Sequence, residues 1–577
     1  MRVALAQINP TSGDVRGNTA TILAAIEAAA ARGADLIVTP EMALPGYCIG
    51  DLVEDARFLE ANEQAVQTLA RAARGITAVV GFIDHDPTAW NDSGTVRKYN
   101  AAAVLADGRV LQRAHKTLLP NYRYFDDKRY FTPAACREPI DIDVRGGRAR
   151  IGVSICEDMW DDFYPVKPLP ELASKGAQVL LNINASPFYP GKRHERDALI
   201  RSHIAKLHTP IVYVNTVGAA DNGKNIIPFD GESLVYDADG RLVAMGRQFA
   251  DDLIVVDLAT APSPREVGLP AIDREREMYD GLMMALTDYM RKTRFTRAIV
   301  AVSGGIDSAL ALAIAADALG PGQVTAFNLP SQYNSETTRS IAKRLTAAFG
   351  VKYGVIPIHE LDEHVRAVFE AHAHPIERGF TRENLHARIR GLLMMMESND
   401  TGALLISCGN ETEIALGYAT LYGDMCGGVS LIGDLSKIDV YRLARHVNTR
   451  HGAEMIPEDA FRITPSAELA PNQVDPFDYY VVAPIVGELV ERRRSPTDLV
   501  ALFEQRSLDP ARFVPDPDGR TVYDKHTPSS FRQVVYDAYT RLRRSVYKRL
   551  QGPPIVAITE RAFGFDLRET IINEWEG

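Results

Sequence analysis

One short loop limits the folds open to this chain. Ala301-Val302-Ser303-Gly304-Gly305-Ile306-Asp307-Ser308 follows an apolar run at 298–302 and opens a helical stretch at 308–318. Glycines let a backbone close on an anion, and a helix start offers free N–H groups and the positive end of its dipole. The two serines add hydroxyl donors. Downstream, a strand at 324–329, a helix at 336–349 and a strand at 352–358 complete a β-loop-α-β-α-β series, the pattern of a parallel sheet. The loop lacks the Gly-Lys-Ser/Thr ending of a Walker loop and is not Gly-x-Gly-x-x-Gly.

The preceding part of the chain also alternates. Strands are expected at 2–8, 34–39, 78–83, 101–105, 149–155, 179–183, 211–215 and 233–236, with a helix at 20–32. Asp239-Gly240 marks a hairpin whose return strand is 241–244. The whole is therefore α/β. A Pro-rich stretch at 260–270 reads as a linker before a helix at 273–294. The expected division is a domain at 1–260, a linker at 261–272 and a domain at 273–577. Length agrees, because 577 residues exceed what one core organises. The region 465–518 is rich in Pro and charge, and a basic helix is expected at 538–550.

Composition excludes several classes. A net charge of −11 disfavours non-specific nucleic-acid binding. No apolar run is long enough to span a bilayer, and neither end resembles a targeting segment. The five cysteines, Cys48, Cys136, Cys156, Cys408 and Cys426, are odd in number and scattered. That argues for reduced thiols in a cytosolic, cytoplasmic setting.

Cys156 ends an apolar strand in Ser154-Ile155-Cys156-Glu157-Asp158, where a thiol projects into a cleft. A cysteine beside acidic residues needs a base and a cation to act as a nucleophile. Glu41, in Thr39-Pro40-Glu41-Met42-Ala43-Leu44-Pro45-Gly46-Tyr47, and Lys116, in His115-Lys116-Thr117-Leu118-Leu119-Pro120, also follow strands. These contexts, together and in this order, resemble the nitrilase (carbon–nitrogen hydrolase) superfamily over roughly the first 260 residues. The resemblance implies an α-β-β-α sandwich. It makes Glu41 the general base, Cys156 the nucleophile and Lys116 the cation that stabilises the oxyanion. Relatives often carry a second glutamate where this chain has Phe125-Asp126-Asp127. Either Asp127 takes that role with a shorter reach, or the role lies elsewhere. For a glutamine donor the resemblance points to Tyr122, Ser186 and Lys192, with Arg193 as the competing cation.

The loop at 303–308 resembles the pyrophosphate loop of N-type ATP pyrophosphatases, which cleave ATP to AMP and pyrophosphate. This implies a Rossmann-like adenine nucleotide alpha hydrolase domain, with ATP on Ala301, Val302, Ser303, Gly304, Gly305, Ile306, Asp307 and Ser308. Glu383-Asn384 with Ala387-Arg388-Ile389-Arg390, the run Cys408-Gly409-Asn410-Glu411-Thr412-Glu413, and Asp434-Leu435-Ser436-Lys437 resemble the NAD+ synthetases. So does Tyr547-Lys548-Arg549-Leu550-Gln551-Gly552-Pro553-Pro554. Joined to a nitrilase-type amidase, this is the arrangement of the glutamine-dependent NAD+ synthetase family. The resemblance implies that Cys408 and Lys437 meet ATP, that Asn384 and Glu413 meet deamido-NAD+ or its activated form, and that Lys548 meets deamido-NAD+ or pyrophosphate. It also implies that Asp307 and Glu413 hold Mg2+, since paired carboxylates beside phosphates suit a hard cation. Threonine is common where Cys408 stands.

The implied activity is ATP-dependent amidation of deamido-NAD+ through an acyl adenylate. Ammonia comes from L-glutamine or from solution, and AMP, pyrophosphate and glutamate leave. Nucleic acid and membrane are not expected partners; a homo-oligomer, at least a dimer, is. The alternatives are a glutamine-dependent ligase with another carboxylate acceptor, and a regulatory or scaffold protein with decayed sites.

Overall fold

The computed structural model describes residues 1–91, 94–258, 267–466 and 473–572. The chain divides into two compact units, Met1–Asn222 with Ile227–Arg274, and Gly223–Ile226 with Glu275–Gly577. Of the expected linker, 261–266 lie outside the described residues.

The first unit contains two mixed sheets. In one, Arg2–Gln7, Leu36–Val38 and Thr77–Trp90 run parallel, flanked by antiparallel Asp252–Asp257 on one side and by Val96–Ala106 and Arg109–His115 on the other. In the second, Gly147–Ile155, Val179–Asn184 and Ile211–Asn215 are the parallel centre. Ile140–Val144 closes one edge, and Leu234–Tyr236 with Leu242–Met245 the other. Alternation supplies each strand with an inward face. Val3, Leu5, Val38 and Val79 meet Ile151, Val153, Ile155 and Leu181 in a shared core. The opposite face of the first sheet is covered by helices Val15–Ala31 and Ala56–Ala72, and that of the second by Pro168–Ser174 and Lys192–Leu207. The result is an α-β-β-α sandwich.

Two strands outrun their apolar cores. Thr77–Trp90 and Val96–Ala106 pair from Ala78↔Leu105 out to Trp90↔Val96. The extension is polar, and charge reaching across the intervening strand holds it: Asp84 takes Arg113 and His115 from Arg109–His115, the strand beyond Val96–Ala106. Such pairs leave no hydrophobic alternation to read.

In the second unit the parallel strands lie in the order Lys352–Val355, Val324–Asn328, Ala298–Ala301, Leu404–Ser407, Val429–Ser430, with Ile555–Val556 beyond. The chain leaves Ala298–Ala301 toward one side and later returns to its other side. That reversal opens a crevice at the carboxyl ends of the strands, where residues 302–305 lead into the helix Ile306–Leu319.

The Pro-rich region carries two helices, Tyr479–Val490 and Pro496–Glu504, despite Pro484 inside the first. Ile485, Val486 and Leu499 pack with Phe531 and Val535 of the helix Pro528–Arg544. That last helix starts ten residues before the expected 538, at a Thr527 cap followed by proline. It stops at Ser545, before a short turn Val546–Arg549.

Candidate active sites

In the first unit Glu41, Lys116 and Cys156 each follow a strand, and folding brings their segments together. Lys116 Nζ lies 2.6 Å from Glu41 Oε1 and 2.6 Å from Asp127 Oδ2. All four residues are buried. Asp127, the shorter carboxylate, therefore reaches the lysine from the helix Asp127–Tyr130, and Tyr47 donates to its other oxygen at 3.3 Å. Burial pulls the Lys116 pKa down, but Asp127 and Glu41 outweigh it and hold the ammonium well above its ordinary value. Burial, aided by Glu41 and opposed by Lys116, pushes the Cys156 thiol well up. The resting sulfur is thus a thiol and needs a base to take its proton during attack. Cys156 has φ +46, a left-handed conformation that non-glycine residues adopt at a cost. Asp158 fixes this turn by accepting from Ile155 N at 3.0 Å, Thr117 N at 2.9 Å and Leu118 N at 2.8 Å. It thereby ties the cysteine turn to the lysine segment.

The expected glutamine contacts are placed as follows. Tyr122 is 48% exposed and donates to the Glu157 carboxylate at 2.9 Å. Ser186 is buried; Arg196 donates to its carbonyl at 3.1 Å and its hydroxyl at 3.3 Å, while Arg196 itself pairs with Asp230 at 2.8 Å. Lys192 Nζ stands 4.0 Å from the Trp160 ring centre and 3.0 Å from Glu195. Burial lowers its pKa. Arg193 is buried and pairs with Glu232 at 3.2 Å.

In the second unit a cavity of about 290 Å³ opens beside the loop. Ala301, Val302, Ser303, Gly305, Ile306, Asp307, Ser308, Cys408, Glu413 and Lys437 line it. Gly304 stands behind, at φ +94, and a Cβ there would lie 2.1 Å from the Thr338 carbonyl oxygen. Ser303 and Ser308 close the loop internally: Gly305 N donates to Ser303 Oγ at 3.1 Å, and Ser303 N to Ser308 Oγ at 3.2 Å. Lys437 Nζ lies 2.5 Å from Asp307 and 3.7 Å from Glu413. Burial and the nearby Asp307 push Glu413 up to about 8, against the pull of Lys437. Two carboxylates crowded on one ammonium fit a further cation. Among the described residues no group of three or more His, Cys, Asp or Glu is placed to hold a metal ion. A divalent cation here would draw its remaining oxygens from phosphate or water.

Cys408 Sγ lies 3.9 Å from the carbonyls of Ala301 and Ile406, and burial pushes the thiol up to about 12. Asn384 and Lys548 stand outside the cavity lining. Asn384 accepts from Thr420 at 2.8 Å, and Lys548 donates to Gly417 and Ala419 carbonyls at 2.8 Å each. The chain Gly417–Ala419 follows the short helix Glu411–Leu416 that carries Glu413, so Lys548 braces that segment. Sequence reasoning did not single out Asn410, which donates to Asp307 at 2.8 Å, although it lies within the run that carried the resemblance. Nor did it single out Asn100, Asp158 or Arg196, polar residues within or beside apolar strands and helices.

A thiol, carboxylates and a lysine in one unit, and a glycine loop over a nucleotide-sized cavity in the other, define a carbon–nitrogen hydrolase joined to a nucleotide-dependent synthase. The carbon-nitrogen hydrolase family model matches residues 2–262 and the NAD synthase model residues 278–510. The glutamine-dependent NAD(+) synthetase of Thermotoga maritima is 36% identical over 100% of this chain and 99% of its own. That of Synechocystis sp. is 36% identical over 99% and 98%. The solved structure of glutamine-dependent NAD+ synthetase from Acinetobacter baumannii, in complex with ADP, is 32% identical, with TM-score 0.73, covering 100% of this chain and 98% of that one. The chain belongs to the glutamine-dependent NAD(+) synthetase family. Among the described residues no helix is long and apolar enough to cross a membrane.

Proposed function

We propose that the first unit hydrolyses glutamine at Cys156 and that the second uses the ammonia, with ATP, to convert deamido-NAD+ to NAD+. The observation that carries the amidase half is the Lys116 ammonium bridging Glu41 and Asp127 beside a strained, buried Cys156. Glu41 takes the thiol proton as sulfur attacks the side-chain carbonyl carbon of glutamine, and Lys116 stabilises the oxyanion. The C–N bond breaks, Glu41 returns the proton to the departing nitrogen, and water hydrolyses the thioester to release glutamate. Lys192 rather than Arg193 is the cation for the substrate carboxylate: its partner Glu195 is exposed and replaceable, whereas Arg193 is paired with Glu232 with both side chains buried.

In the second unit the loop N–H groups and the helix start at Ile306 hold ATP phosphate. Lys437 neutralises charge beside them. Asp307 and Glu413 would hold Mg2+, which supplies charge stabilisation at phosphate oxygens. The nicotinate carboxylate attacks the α-phosphorus, pyrophosphate leaves, and ammonia displaces AMP from the acyl adenylate. Lys548 and Asn384 act on the substrate side by holding the segments 417–420. We place the enzyme in the cytoplasm as a homo-oligomer of at least two chains. The test is synthesis by the purified chain with ATP, Mg2+ and deamido-NAD+, given glutamine or ammonium. Cys156→Ala abolishes only the glutamine-driven reaction; loss of both overturns the division of labour.

A further inference from the structure

Glu41 is held by more than the lysine. Asn100, wholly buried in the strand Val96–Ala106, donates from Nδ2 to Glu41 Oε1 at 2.7 Å. Lys116 Nζ donates to the same oxygen at 2.6 Å. Oε2 takes one donor, Ala185 N–H at 2.9 Å. A carboxylate oxygen has two in-plane lone pairs, so Oε1 is saturated while Oε2 keeps one pair open. The backbone carbonyl of Asn100 also accepts from Lys116 N at 2.8 Å, so one residue registers both the base and the cation. The amide's own Oδ1 is buried and has no hydrogen-bond partner among the described residues. A buried unpaired acceptor costs stability, and only the amide's donor end is engaged.

We infer that Asn100 is a positioning residue that saturates Glu41 Oε1 and so reserves Oε2 as the atom that receives the Cys156 proton. The S–H bond breaks, the proton bonds to Oε2, and the sulfur pair forms the bond to the amide carbon. This rests on Glu41 being the general base. The titratable groups facing Glu41 are Lys116 and Cys156 from strand ends, Asp127 from its helix, and Tyr47 and Cys48 from the turn after Glu41.

The test is made on the full chain with Asn100→Leu, which keeps bulk and removes the donor, and with Asn100→Ala, which removes the whole amide. Both are expected to lower glutamine-driven kcat on the order of 10²-fold, as misplacement of a reacting group does. KM for glutamine should stay near its parent value, and the ammonium-driven rate should be unchanged. Alkylation of Cys156 by iodoacetamide should slow in parallel, a readout that a packing role would not move. Unchanged kcat and alkylation in both variants would overturn the proposal, as would a loss confined to KM. Should a variant also lose ammonium-driven synthesis, Asn100→Ser, smaller and still a donor, decides. Greater glutamine-driven activity and alkylation than in Asn100→Ala support the proposal, and equality sinks it. Glu41→Gln separates the two levels: if it keeps parental glutaminase activity, the assignment of Glu41 as base fails, whatever the Asn100 variants do.

Discussion

Glu413 shows how a single partly buried carboxylate couples chemistry to pH. Its pKa rises from an ordinary 4.5 to about 8 through burial and the neighbouring Asp307. The folded chain therefore binds a proton there that the unfolded chain releases, and this contribution to stability falls as pH climbs from about 4.5 to 8. Ligation by a cation needs the ionised form, so Mg2+ should bind more tightly above pH 8 than at pH 6. Titration calorimetry with Mg2+ and ATP at both pH values measures this; equal affinity would remove Glu413 from the ligand set. Glu413→Gln should abolish ammonium-driven synthesis while raising the melting temperature at pH 8 without Mg2+. Cys408 gives the opposite expectation. Its thiol is pushed up to about 12 and its hydrogen-bond partners among the described residues are two carbonyls 3.9 Å away, so it is neutral and weakly bonded at physiological pH. Cys408→Thr should leave ammonium-driven kcat intact and lower KM for ATP, because a hydroxyl is the better hydrogen-bond partner.

The glycine loop depends on one backbone angle. Gly304 combines a left-handed φ of +94 with a carbonyl 2.1 Å from where a Cβ would stand. Gly304→Ala must move either the loop or the helix Glu336–Ala348 that carries Thr338, at about 1–3 kcal/mol for the strain alone. We expect ammonium-driven synthesis to collapse while glutamine hydrolysis continues; retained synthesis with parental KM for ATP would show that the loop's shape is not required. The helix Tyr479–Val490 tests a different property. It has little polar face, and Ile485 is fully buried against the helices that follow. Ile485→Ala should cost about 2–5 kcal/mol in a denaturant melt, because a cavity adds to the lost burial. The near absence of a polar face, with Pro484 inside the helix and charged residues flanking it, explains why periodicity did not mark this segment beforehand.

For the molecule as a whole, two units with separate cores carry two chemistries that share one small product. Ammonia is mostly protonated near neutral pH and dissipates in solvent. A sheltered transfer predicts that glutamine-driven synthesis survives an enzymatic scavenger that removes bulk ammonia and silences the ammonium-driven reaction. Complete silencing of both would mean release to solvent.

The alternation of the central strands with helices, the glycine loop and the Glu–Lys–Cys contexts were legible in the residues, because each is local: a run of apolar side chains, a turn, a nucleophile at a strand end. So was family membership, since motifs are strings. The edge strands Arg109–His115, Ile140–Val144 and Asp252–Asp257 and the helices Ala56–Ala72 and Lys192–Leu207 were not marked. Tertiary structure decided what lies far apart in the chain. That Asn100 holds Glu41 across 59 positions depends on the pairing of the strands around them. The reach of Asp127 to Lys116, and the pairing of Arg193 with Glu232 and of Lys192 with Trp160, depend on how helices and turns pack beyond the strand ends. Polar residues inside apolar strands carry no pattern of their own. Their role is set by which buried partner the fold brings within about 3 Å, and burial is what makes that partner matter.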